Sequence, residues 1–454
     1  MARILIVGAG MSAMAAAARL AARRHEVTVC EASAAFGGAL SVRRHDGLSF
    51  DTGPYTLTLP AAYRDLFVKT GSRKASAAAK LEDRVDLQPL DPVRRYVFPD
   101  GTRLDLPNAS RGRLRAAFDA AFGEGAGDGW IRLIDHGGRA WDVLRPALVE
   151  APGGGGRELL RLLARRDGRR VLTPGRSLRR LSRGWFSDPR LRLLLDDYLR
   201  QAGADPRRAP GVCAARVYIE HTFGAWRIGG GMYRLAEELH RRAADRGAEF
   251  RFECPVQRIE KDSSGAVAGV VLADDSRVAA DFVVAAVDRA ELARLLGGGR
   301  PPSESARPAP RGTTTLCLEV SAPADGTTPP DQPHETVFLR SGGASIRVHV
   351  PAEQPTAWTV HATGASGSAE ILAALAESGL DIRGRARVLH EIPAGTVARI
   401  PQDAGLRGVL LRSPVAQPAR GLFHIGASAR PGTGPAFAAL SGWHAAELIG
   451  PAAR

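Results

Sequence analysis

The pattern of apolar and polar positions at the start of the chain predicts a strand–helix–strand unit. Residues 3–7 (RILIV) form a short apolar run that is typical of a buried parallel strand. Residues 11–24 are rich in alanine and have helical spacing, and residues 26–31 (EVTVCE) are rich in β-branched side chains, as strands are. With the Gly-rich turn between the first strand and the helix, this order predicts one βαβ unit.

Helical periodicity dominates the middle of the chain, and strand patterns dominate the later part. Residues 157–200 alternate leucine clusters with many arginines and predict helices, and residues 367–378 predict one more. Gly- and Pro-rich stretches at 151–156, 296–313 and 321–333 are interpreted as breaks or loops. Closely spaced runs rich in β-branched residues predict an antiparallel sheet. Those runs are residues 313–320, 335–341, 345–350 and 356–362.

These elements predict an α/β protein with more than one domain, because 454 residues exceed what one hydrophobic core normally holds. We expect a Rossmann-like domain assembled from separate segments, a substrate domain with an antiparallel sheet, and a helical insertion. The expected limits are residues 1–70, 222–290 and 395–454 for the first domain, 71–110 and 291–394 for the second, and 111–221 for the insertion.

Composition excludes several classes of protein. Apolar residues make up 44% of the chain and charged residues 24%, which is typical of a globular protein. No apolar run reaches the roughly 18 residues of a membrane span, and the first residues lack the pattern of a secretory signal. The four cysteines (Cys30, Cys213, Cys254 and Cys317) have no metal-ligand spacing. We therefore expect a reduced, cytoplasmic protein without a metal site.

The net charge of +14 comes almost entirely from arginine and leaves two interpretations of residues 157–200. A basic amphipathic stretch that carries Trp185 and Phe186 is suited to peripheral contact with an anionic membrane. The alternative, which we favour, is a helical cap over the active site with a solvated arginine face. Nucleic acid is not an expected partner, because no basic run is interleaved with aromatic residues as in known nucleic-acid modules.

The stretch Gly8-Ala9-Gly10-Met11-Ser12-Ala13 follows the first strand and opens the first helix. It fits the G-x-G-x-x-G/A fingerprint, in which the glycines permit a tight turn and a close approach of the backbone to a pyrophosphate. The N–H groups and the positive dipole end of the helix favour the diphosphate. Glu31 ends the next strand about 20 residues later, where an acidic side chain binds ribose hydroxyls. The sequence therefore predicts a dinucleotide site.

Beyond this fingerprint the chain resembles the FAD-dependent phytoene desaturase and amine oxidase superfamily. In that superfamily a Gly pair, here Gly37-Gly38, follows the ribose-binding glutamate and passes close to the cofactor. FDTGP at residues 50–54 is similar to the phytoene-dehydrogenase branch in particular. One position departs from the pattern, because Ala39 stands where the family often has Arg or Lys; Arg43 and Arg44 are the candidates to replace it.

Three more segments extend the resemblance over nearly the whole chain. Residues 220–239 are similar to the G-x-W-x-x-x-G-G stretch that leads a helix back into the cofactor domain. Residues 247–288 are similar to the second pass through that domain, in which Val256 occupies the position where the backbone reaches the adenine. Residues 421–449 look like the C-terminal flavin motif, although Arg430 stands where the family usually has histidine.

The residues of the C-terminal motif also suit contact with a flavin on physical grounds. Gly426 and the loop 431–434 keep side chains away, so that backbone can approach the flavin ring. A helix starting near Pro435 directs its positive end at the flavin and stabilises the reduced anion. The residues assigned to the cofactor are Gly8, Gly10, Met11, Ser12, Ala13, Glu31, Ala32, Gly37, Gly38, Ala39, Thr52, Gly53, Pro54, Val256, Gly426, Ala427, Gly434, Pro435 and Ala436.

The resemblance implies an oxidoreductase that binds FAD without a covalent bond. It implies desaturation of an organic, lipophilic substrate such as a carotenoid or another isoprenoid by hydride transfer to flavin N5, with O₂ or a quinone-like compound as the electron acceptor. No lysine follows Lys261 and no cysteine follows Cys317, which disfavours the lysine-dependent amine oxidases and excludes attachment of flavin to a C-terminal cysteine.

Two alternatives remain. One is an FAD-dependent oxidase or dehydrogenase of a smaller secondary metabolite, acting on a C–N or C–C bond. The other is a flavin-free binding protein similar to the GDP-dissociation inhibitors, which have this fold. The second is less favoured, because a protein without a dinucleotide has no use for Gly8, Gly10 and Glu31.

No acid–base pair stands out in the sequence. Tyr218 and His221 precede the Gly-Trp stretch and are candidates for the substrate side, and Arg430 lies within the flavin motif. The competing interpretations are that His221 has only a packing role and that Arg430 is a solvated loop residue. Desaturation by hydride transfer depends mainly on positioning, so the reaction does not require a strong base.

Overall fold

A computed structural model describes most of the chain. The described residues are 1–71, 80–152, 156–173, 176–298, 312–322, 333–365, 367–393, 415–417 and 419–452. Most of the loops expected at 296–313 and 321–333, and the start of the segment expected at 395–454, lie outside them.

The helices and strands of the described residues are numbered in chain order. The strands are β1 (Arg3–Val7), β2 (Glu26–Cys30), β3 (Val42–His45), β4 (Leu48–Asp51), β5 (Leu57–Thr58), β6 (Leu87–Pro89), β7 (Arg94–Val97), β8 (Arg103–Leu106), β9 (Ala225–Ile228), β10 (Glu249–Arg251), β11 (Val256–Lys261), β12 (Val267–Leu272), β13 (Arg277–Ala279), β14 (Phe282–Ala285), β15 (Thr313–Val320), β16 (Glu335–Leu339), β17 (Ser345–His349), β18 (Ala357–Thr363), β19 (Ala386–Ile392) and β20 (Leu422–His424). The helices are α1 (Met11–Ala22), α2 (Ala61–Lys69), α3 (Arg111–Phe122), α4 (Ala126–Leu144), α5 (Gly156–Ala164), α6 (Arg166–Leu172), α7 (Leu178–Leu181), α8 (Pro189–Gln201), α9 (Ala214–Phe223), α10 (Tyr233–Ala244), α11 (Arg289–Leu295), α12 (Ser368–Glu377) and α13 (Pro435–Ile449).

A five-stranded parallel sheet with the order β10-β2-β1-β14-β20 is built from distant parts of the chain. The apolar run that predicted β1 is buried in its centre, where Ile6 pairs with Val29 on one side and with Val284 on the other. Such central strands are apolar on both faces because both faces are covered, here by α1 on one side and by the antiparallel strands β11 and β12 on the other. The predicted βαβ unit is present, and the α/β class is confirmed.

Helix α1 is almost free of large side chains because other helices pack closely against it. A Cβ atom added at Gly442 of α13 would lie 2.5 Å from the carbonyl oxygen of Ser12 and 2.8 Å from the amide nitrogen of Ala16. The backbones of α1 and α13 are therefore in direct contact. This contact places the start of the N-terminal helix beside the C-terminal motif.

A second sheet has seven strands in the order β19-β15-β18-β17-β16-β7-β8. It is antiparallel, as predicted, except where β16 and β7 run parallel with Val337 opposite Tyr96. One face is apolar and packs against α12, with Leu316, Val360 and Ile371 in one buried cluster. The opposite face carries ionisable residues that are nevertheless buried.

The helical insertion shares a hydrophobic core with the second sheet, since one buried cluster contains both Trp130 of α4 and Val337 of β16. Phe186, Leu191 and Leu195 are buried in the same cluster as Trp130 of α4. The apolar side of residues 178–199 therefore packs inside the protein, which favours the cap interpretation over an amphipathic stretch lying on a membrane. Within the part of the chain that the structure describes, none of the helices has the length and apolar character to cross a bilayer.

Buried charges join the cap to the second sheet. Arg94 of β7 donates two hydrogen bonds to Glu220 of α9, at 2.8 and 3.1 Å, and one to Glu335 of β16 at 3.0 Å. Arg347 of β17 bonds the other oxygen of Glu335 at 2.9 Å and also pairs with Asp197 of α8. Burial alone would raise the pKa of Glu335, but the charges of Arg94 and Arg347 lower it to about 2. This arginine–carboxylate network holds the cap in place.

Candidate functional site

The Gly-rich turn after β1 leaves an open space at the start of α1. Gly8 has φ +92°, and a Cβ atom there would lie 3.2 Å from the carbonyl oxygen of Ala286. A Cβ atom at Gly10 would meet no heavy atom within 4 Å, so this side of the turn faces open space. Among the described residues, no side chain caps α1 at its start. The first N–H groups of the helix and this space together fit a diphosphate.

Glu31 lies beside the same turn, at the carboxyl end of β2. Its Oε2 accepts a hydrogen bond from the amide of Ala9 at 2.6 Å, and its Oε1 accepts bonds from the amide and hydroxyl of Ser33 at 2.9 and 2.8 Å. The carboxylate is thus held in one orientation while remaining partly exposed. A fixed, partly exposed carboxylate fits the hydroxyls of a ribose.

The second pass through the domain runs next to Glu31. The amide of Cys254 donates to the carbonyl of Glu31 at 2.8 Å, which places β11 and its first residue, Val256, at the same end of the sheet. Val256 is buried, and its carbonyl accepts a bond from Arg294 at 3.2 Å. Ala32, in contrast, is exposed in the loop after β2.

Gly37 and Gly38 pack directly on the Gly-rich turn. The amide of Gly37 donates to the carbonyl of Ala9 at 2.9 Å, and a Cβ atom at Gly38, where φ is +63°, would lie 3.1 Å from the Cα atom of Gly10. The Gly pair is therefore required by close contact between two backbone segments. Ala39 beside it is exposed and has no charge to offer a diphosphate.

The FDTGP segment lies against the loop of the Gly pair. A Cβ atom at Gly53 would come within 2.4 Å of the carbonyl oxygen of Ala39, and the amide of Thr52 donates to Ser41 at 2.9 Å. Thr52 is buried, whereas Pro54 is exposed. The structure thus links the motif at residues 50–54 to the turn through the Gly37–Ala39 loop.

The C-terminal motif meets the start of α1. A Cβ atom at Gly426 would lie 3.4 Å from Oγ of Ser12, and the amide of Gly426 donates to Ser441 at 3.1 Å. Ala436 of α13 shares an apolar cluster with Met11, and Ala13 is fully buried in the neighbouring cluster. Gly434 and Pro435 begin α13 beside them, while Ala427 is exposed. The structure therefore gathers the Gly-rich turn, the Gly pair and both ends of the chain around one helix start.

Three residues that support this site were not assigned to it from the sequence. Arg216 of α9 donates to the carbonyl of Thr433 at 3.0 Å, and the hydroxyl of Tyr63 donates to the carbonyl of Pro435 at 2.8 Å. Asp51 accepts a bond from the amide of Met232 at 2.6 Å, and burial raises the pKa of its carboxyl to about 6. Asp51 stands in the FDTGP motif and Tyr63 follows shortly after it, whereas Arg216 occurs in a segment without any motif.

The residue after FDTGP belongs to a buried polar cluster on the inner face of the second sheet. The hydroxyl of Tyr55 bonds Nε2 of His361, whose Nδ1 bonds Thr315 at 2.7 Å, and the Tyr55 ring stacks on His349 at 3.9 Å. Burial lowers the pKa of His361 to about 4, so its ring is neutral at pH 7. Both ring nitrogens of His361 therefore take part in hydrogen bonds, which fix the side chains of Tyr55 and Thr315.

The three residues predicted for the substrate side lie in different surroundings. His221 is buried in the cap and accepts a bond from the Trp130 indole at 3.2 Å, and burial lowers its pKa to about 4. Tyr218 packs against α4, where a Cβ atom at Gly138 would lie 3.0 Å from its ring. Arg430 is buried in the flavin motif, and burial lowers its pKa. The position of His221 indicates a packing role, whereas Arg430 remains a candidate for the site.

Comparison with known protein families finds a match that covers more than half of the chain. Residues 11–320 match the family described as flavin containing amine oxidoreductase. The chain belongs to this family. As a flavin containing amine oxidoreductase it is an FAD-dependent enzyme, as the resemblance implied.

Curated relatives of this oxidoreductase place it in the phytoene desaturase-like branch. Hydroxyneurosporene desaturase of Cereibacter sphaeroides is 31% identical, and the alignment covers 98% of this chain and 97% of that protein. Phytoene dehydrogenase of Streptomyces griseus is 31% identical over 74% of this chain and 62% of its own length.

Solved structures show the same fold. An oxidoreductase from Methanosarcina mazei superposes with a TM-score of 0.67 at 17% identity, covering 98% of this chain and all of that one. Putrescine oxidase bound to putrescine gives a TM-score of 0.67 at 16% identity, with 99% of this chain and 98% of that chain covered. At these identities the likeness establishes the fold alone.

Proposed function

We propose that the enzyme desaturates a carotenoid-like polyene, removing two hydrogen atoms from a carbon–carbon single bond. The observation that carries the proposal is the end-to-end similarity to hydroxyneurosporene desaturase, together with the set of cofactor-binding segments gathered around the start of α1. When bound, FAD accepts the hydrogen and electrons that leave the substrate. In this proposal the cofactor is held without a covalent bond, and O₂ or a quinone-like compound takes the electrons in turn.

The residues of this chain supply binding and orientation. Gly8 and Gly10 open the space for the diphosphate at the N-terminus of α1, and Glu31 holds the ribose. Arg216 ties the cap to the loop before α13, so that the cap and the flavin end of the site are fixed relative to each other. Orientation of this kind lowers the barrier because the reacting atoms are held together before the reaction.

Removing the Glu31 carboxylate should weaken FAD binding by about 1–3 kcal/mol, because two charge-assisted hydrogen bonds to the ribose are lost. The measurement is a fluorescence titration of apoprotein with FAD for Glu31→Ala. The matched control is Glu26→Ala, since Glu26 is exposed at the opposite end of the same strand. Equal affinity of Glu31→Ala and the unmodified protein would refute the assignment of the ribose site.

A cavity of about 760 Å³ lies between the cap and the helices of the first domain. Leu59, Trp141, Val149, Leu440 and Trp443 form the apolar part of its lining. Charged side chains form most of the rest, namely Arg19, Arg23, Asp65, Lys69, Arg145, Glu150 and Glu447. Its volume falls in the range of about 300–1,000 Å³ that is usual for ligand pockets. Leu59 and Leu440 pack against the same buried cluster as Phe437, which lies in the first turn of α13. We infer that the cavity receives the apolar end of the substrate.

The rim of this cavity supports contact with a membrane. Val68 is 57% exposed beside Lys69, and Leu448 is 37% exposed beside Glu447; Lys69 and Glu447 both line the cavity. An exposed apolar side chain next to a cation, as at Val68 and Lys69, suits an anionic lipid surface, and the Glu447 carboxylate beside Leu448 is paired with Arg23. We infer that a lipophilic substrate passes from a bilayer into the cavity here.

The double variant Val68→Glu/Leu448→Glu should lose most of its flotation with anionic vesicles at low salt, because two carboxylates would replace the apolar contacts. Val388→Glu is the control, since Val388 is also 37% exposed but lies on β19 of the second sheet. If the unmodified protein does not float, or if the double variant floats as the control does, this surface does not contact the membrane.

Anaerobic mixing with hydroxyneurosporene or phytoene should bleach the visible absorbance of the holoenzyme rapidly, whereas NADH and NADPH should bleach it slowly or not at all. The reason is that the sequence has one dinucleotide fingerprint, at Gly8–Ala13, so electrons must enter from the substrate. Rapid, saturable reduction by a nicotinamide would reverse the proposed direction of electron flow. Reduction by neither polyene would favour the alternative, a smaller secondary metabolite.

A further inference from the structure

Two of the four cysteines meet at the ribose end of the cofactor site. Cys30 is the last residue of β2, directly before Glu31, and Cys254 lies in the connection between β10 and β11. The amide of Glu31 donates to the carbonyl of Arg251 at 2.9 Å, and the amide of Cys254 donates to the carbonyl of Glu31 at 2.8 Å. Cys254 packs against the apolar cluster that contains Cys30, and the two thiols are neighbours there.

The two thiols differ in their access to solvent. Cys254 is half-buried, whereas Cys30 is 1% exposed. Burial and the neighbouring Cys254 raise the pKa of the Cys30 thiol to about 12, so Cys30 is protonated at pH 7 and inert towards reagents in solution. A small oxidant therefore reaches Cys254 first.

We propose that Cys30 and Cys254 form a redox-responsive pair that becomes a disulfide when a peroxide is present. The Cys254 thiolate attacks the peroxide, which gives a sulfenic acid and releases water or an alcohol. The sulfur of Cys30 then displaces hydroxide from that sulfenic acid, and the proton of Cys30 leaves with it as water. Two thiols lose two electrons, and the peroxide gains them.

The disulfide would join two segments that hold Glu31 from both sides. One is the end of β2, and the other is the connection that leads to Val256. We expect these segments to separate when the adenosine half of FAD leaves, so a covalent link between them should slow the loss of FAD. The inference depends on FAD binding at Glu31 but not on desaturation as the reaction.

The test uses the FAD-loaded enzyme and no substrate, so its outcome is independent of the proposed reaction. The holoenzyme is treated with dilute hydrogen peroxide, unfolded, and titrated for thiols, and its disulfide is located by peptide mass mapping. In a parallel sample, FAD release after dilution is followed by flavin fluorescence. We expect the titre to fall from the four thiols of the sequence to two, with one Cys30–Cys254 peptide, and FAD release to slow several-fold.

Cysteine variants test whether the effect of peroxide on FAD release depends on Cys30 and Cys254. Cys254→Ser should keep its remaining thiols and release FAD at the same rate with and without peroxide. If the serine variant folds poorly, Cys30→Ala replaces it: peroxide should oxidise Cys254 and lower the titre by one thiol, but no Cys30–Cys254 disulfide is able to form, and FAD release should keep its rate. Cys213→Ser, which changes a half-buried cysteine of the cap, should respond as the unmodified protein does. An unchanged thiol titre, a disulfide between other cysteines, or a Cys30–Cys254 disulfide without any change in FAD release would overturn the proposal.

Discussion

Replacing Arg94 with methionine should lower the free energy of unfolding by about 3–5 kcal/mol, which is the usual cost of removing one partner from a buried ion pair. Arg94 is 3% exposed and is bonded to both Glu220 and Glu335, so its loss leaves two buried carboxylates without their shared cation. Chemical denaturation of the unmodified protein and of Arg94→Met, at pH 7, measures the difference.

The neighbouring residue provides the control for Arg94→Met. Arg95 is on the same strand but points outward and pairs with the exposed Asp105, so Arg95→Met should cost at most about 1 kcal/mol. Similar losses for the two variants would show that the buried network does not stabilise the fold.

The cost of Arg94→Met should also depend on pH. The pKa of Glu335 is lowered from 4.5 to about 2 in the folded protein, so the stability from this group is present above about pH 4.5 and is lost as the pH falls towards 2. The difference in the free energy of unfolding between Arg94→Met and the unmodified protein should therefore become smaller as the pH falls from about 4.5 to about 2. A difference that stays constant down to pH 3 would contradict this explanation.

Gly442→Val should destabilise the protein by about 3 kcal/mol, at the upper end of the usual cost of overpacking, and should lower its FAD content. The first added atom would already lie 2.5 Å from the carbonyl oxygen of Ser12 and 2.8 Å from the amide nitrogen of Ala16, and neither backbone atom is able to rotate away. To relieve the clash, α13 must move off α1 and carry Gly426 away from the start of the helix. Denaturation curves and the flavin-to-protein absorbance ratio give the two results.

The control for Gly442→Val is Gly112→Val, because Gly112 is also in a helix but has no heavy atom within 4 Å of an added Cβ. Glycine and valine differ little in helix propensity, so this variant should be nearly neutral in stability and should keep its FAD. If Gly442→Val keeps its FAD and its stability, the helix contact does not position the C-terminal motif.

Much of the cofactor site could be predicted because its residues are constrained locally. The turn at Gly8–Ala13 needs small residues in fixed order, and Glu31 must end the next strand, so spacing along the chain reveals both. The strand predicted at 313–320 was found over the same residues because eight consecutive positions fit one sheet. The purpose of Gly37-Gly38 was only partly visible, since the contact with Gly10 involves a distant backbone segment.

Other assignments required the folded chain. His221 precedes a motif in the sequence, but the helix turns it into the cap against Trp130. Arg216 and Tyr63 carry no pattern, because each bonds a single backbone carbonyl that is remote in sequence. The leucines within residues 157–200 have a pattern that fits a cap, which we favour, but also fits a membrane-facing stretch, and the burial of Leu191 and Leu195 beside Trp130 supports the cap.

The sequence alone determined the βαβ unit, the dinucleotide fingerprint and four of the seven strands of the second sheet, because periodicity and glycine positions act over neighbouring residues. The tertiary structure alone decided which segments surround the start of α1, which face of the second sheet is polar, and that Cys30 meets Cys254. These are contacts between residues far apart in the chain. Their energies depend on how deeply the residues are buried and on how closely their partners approach, and a local sequence pattern contains neither.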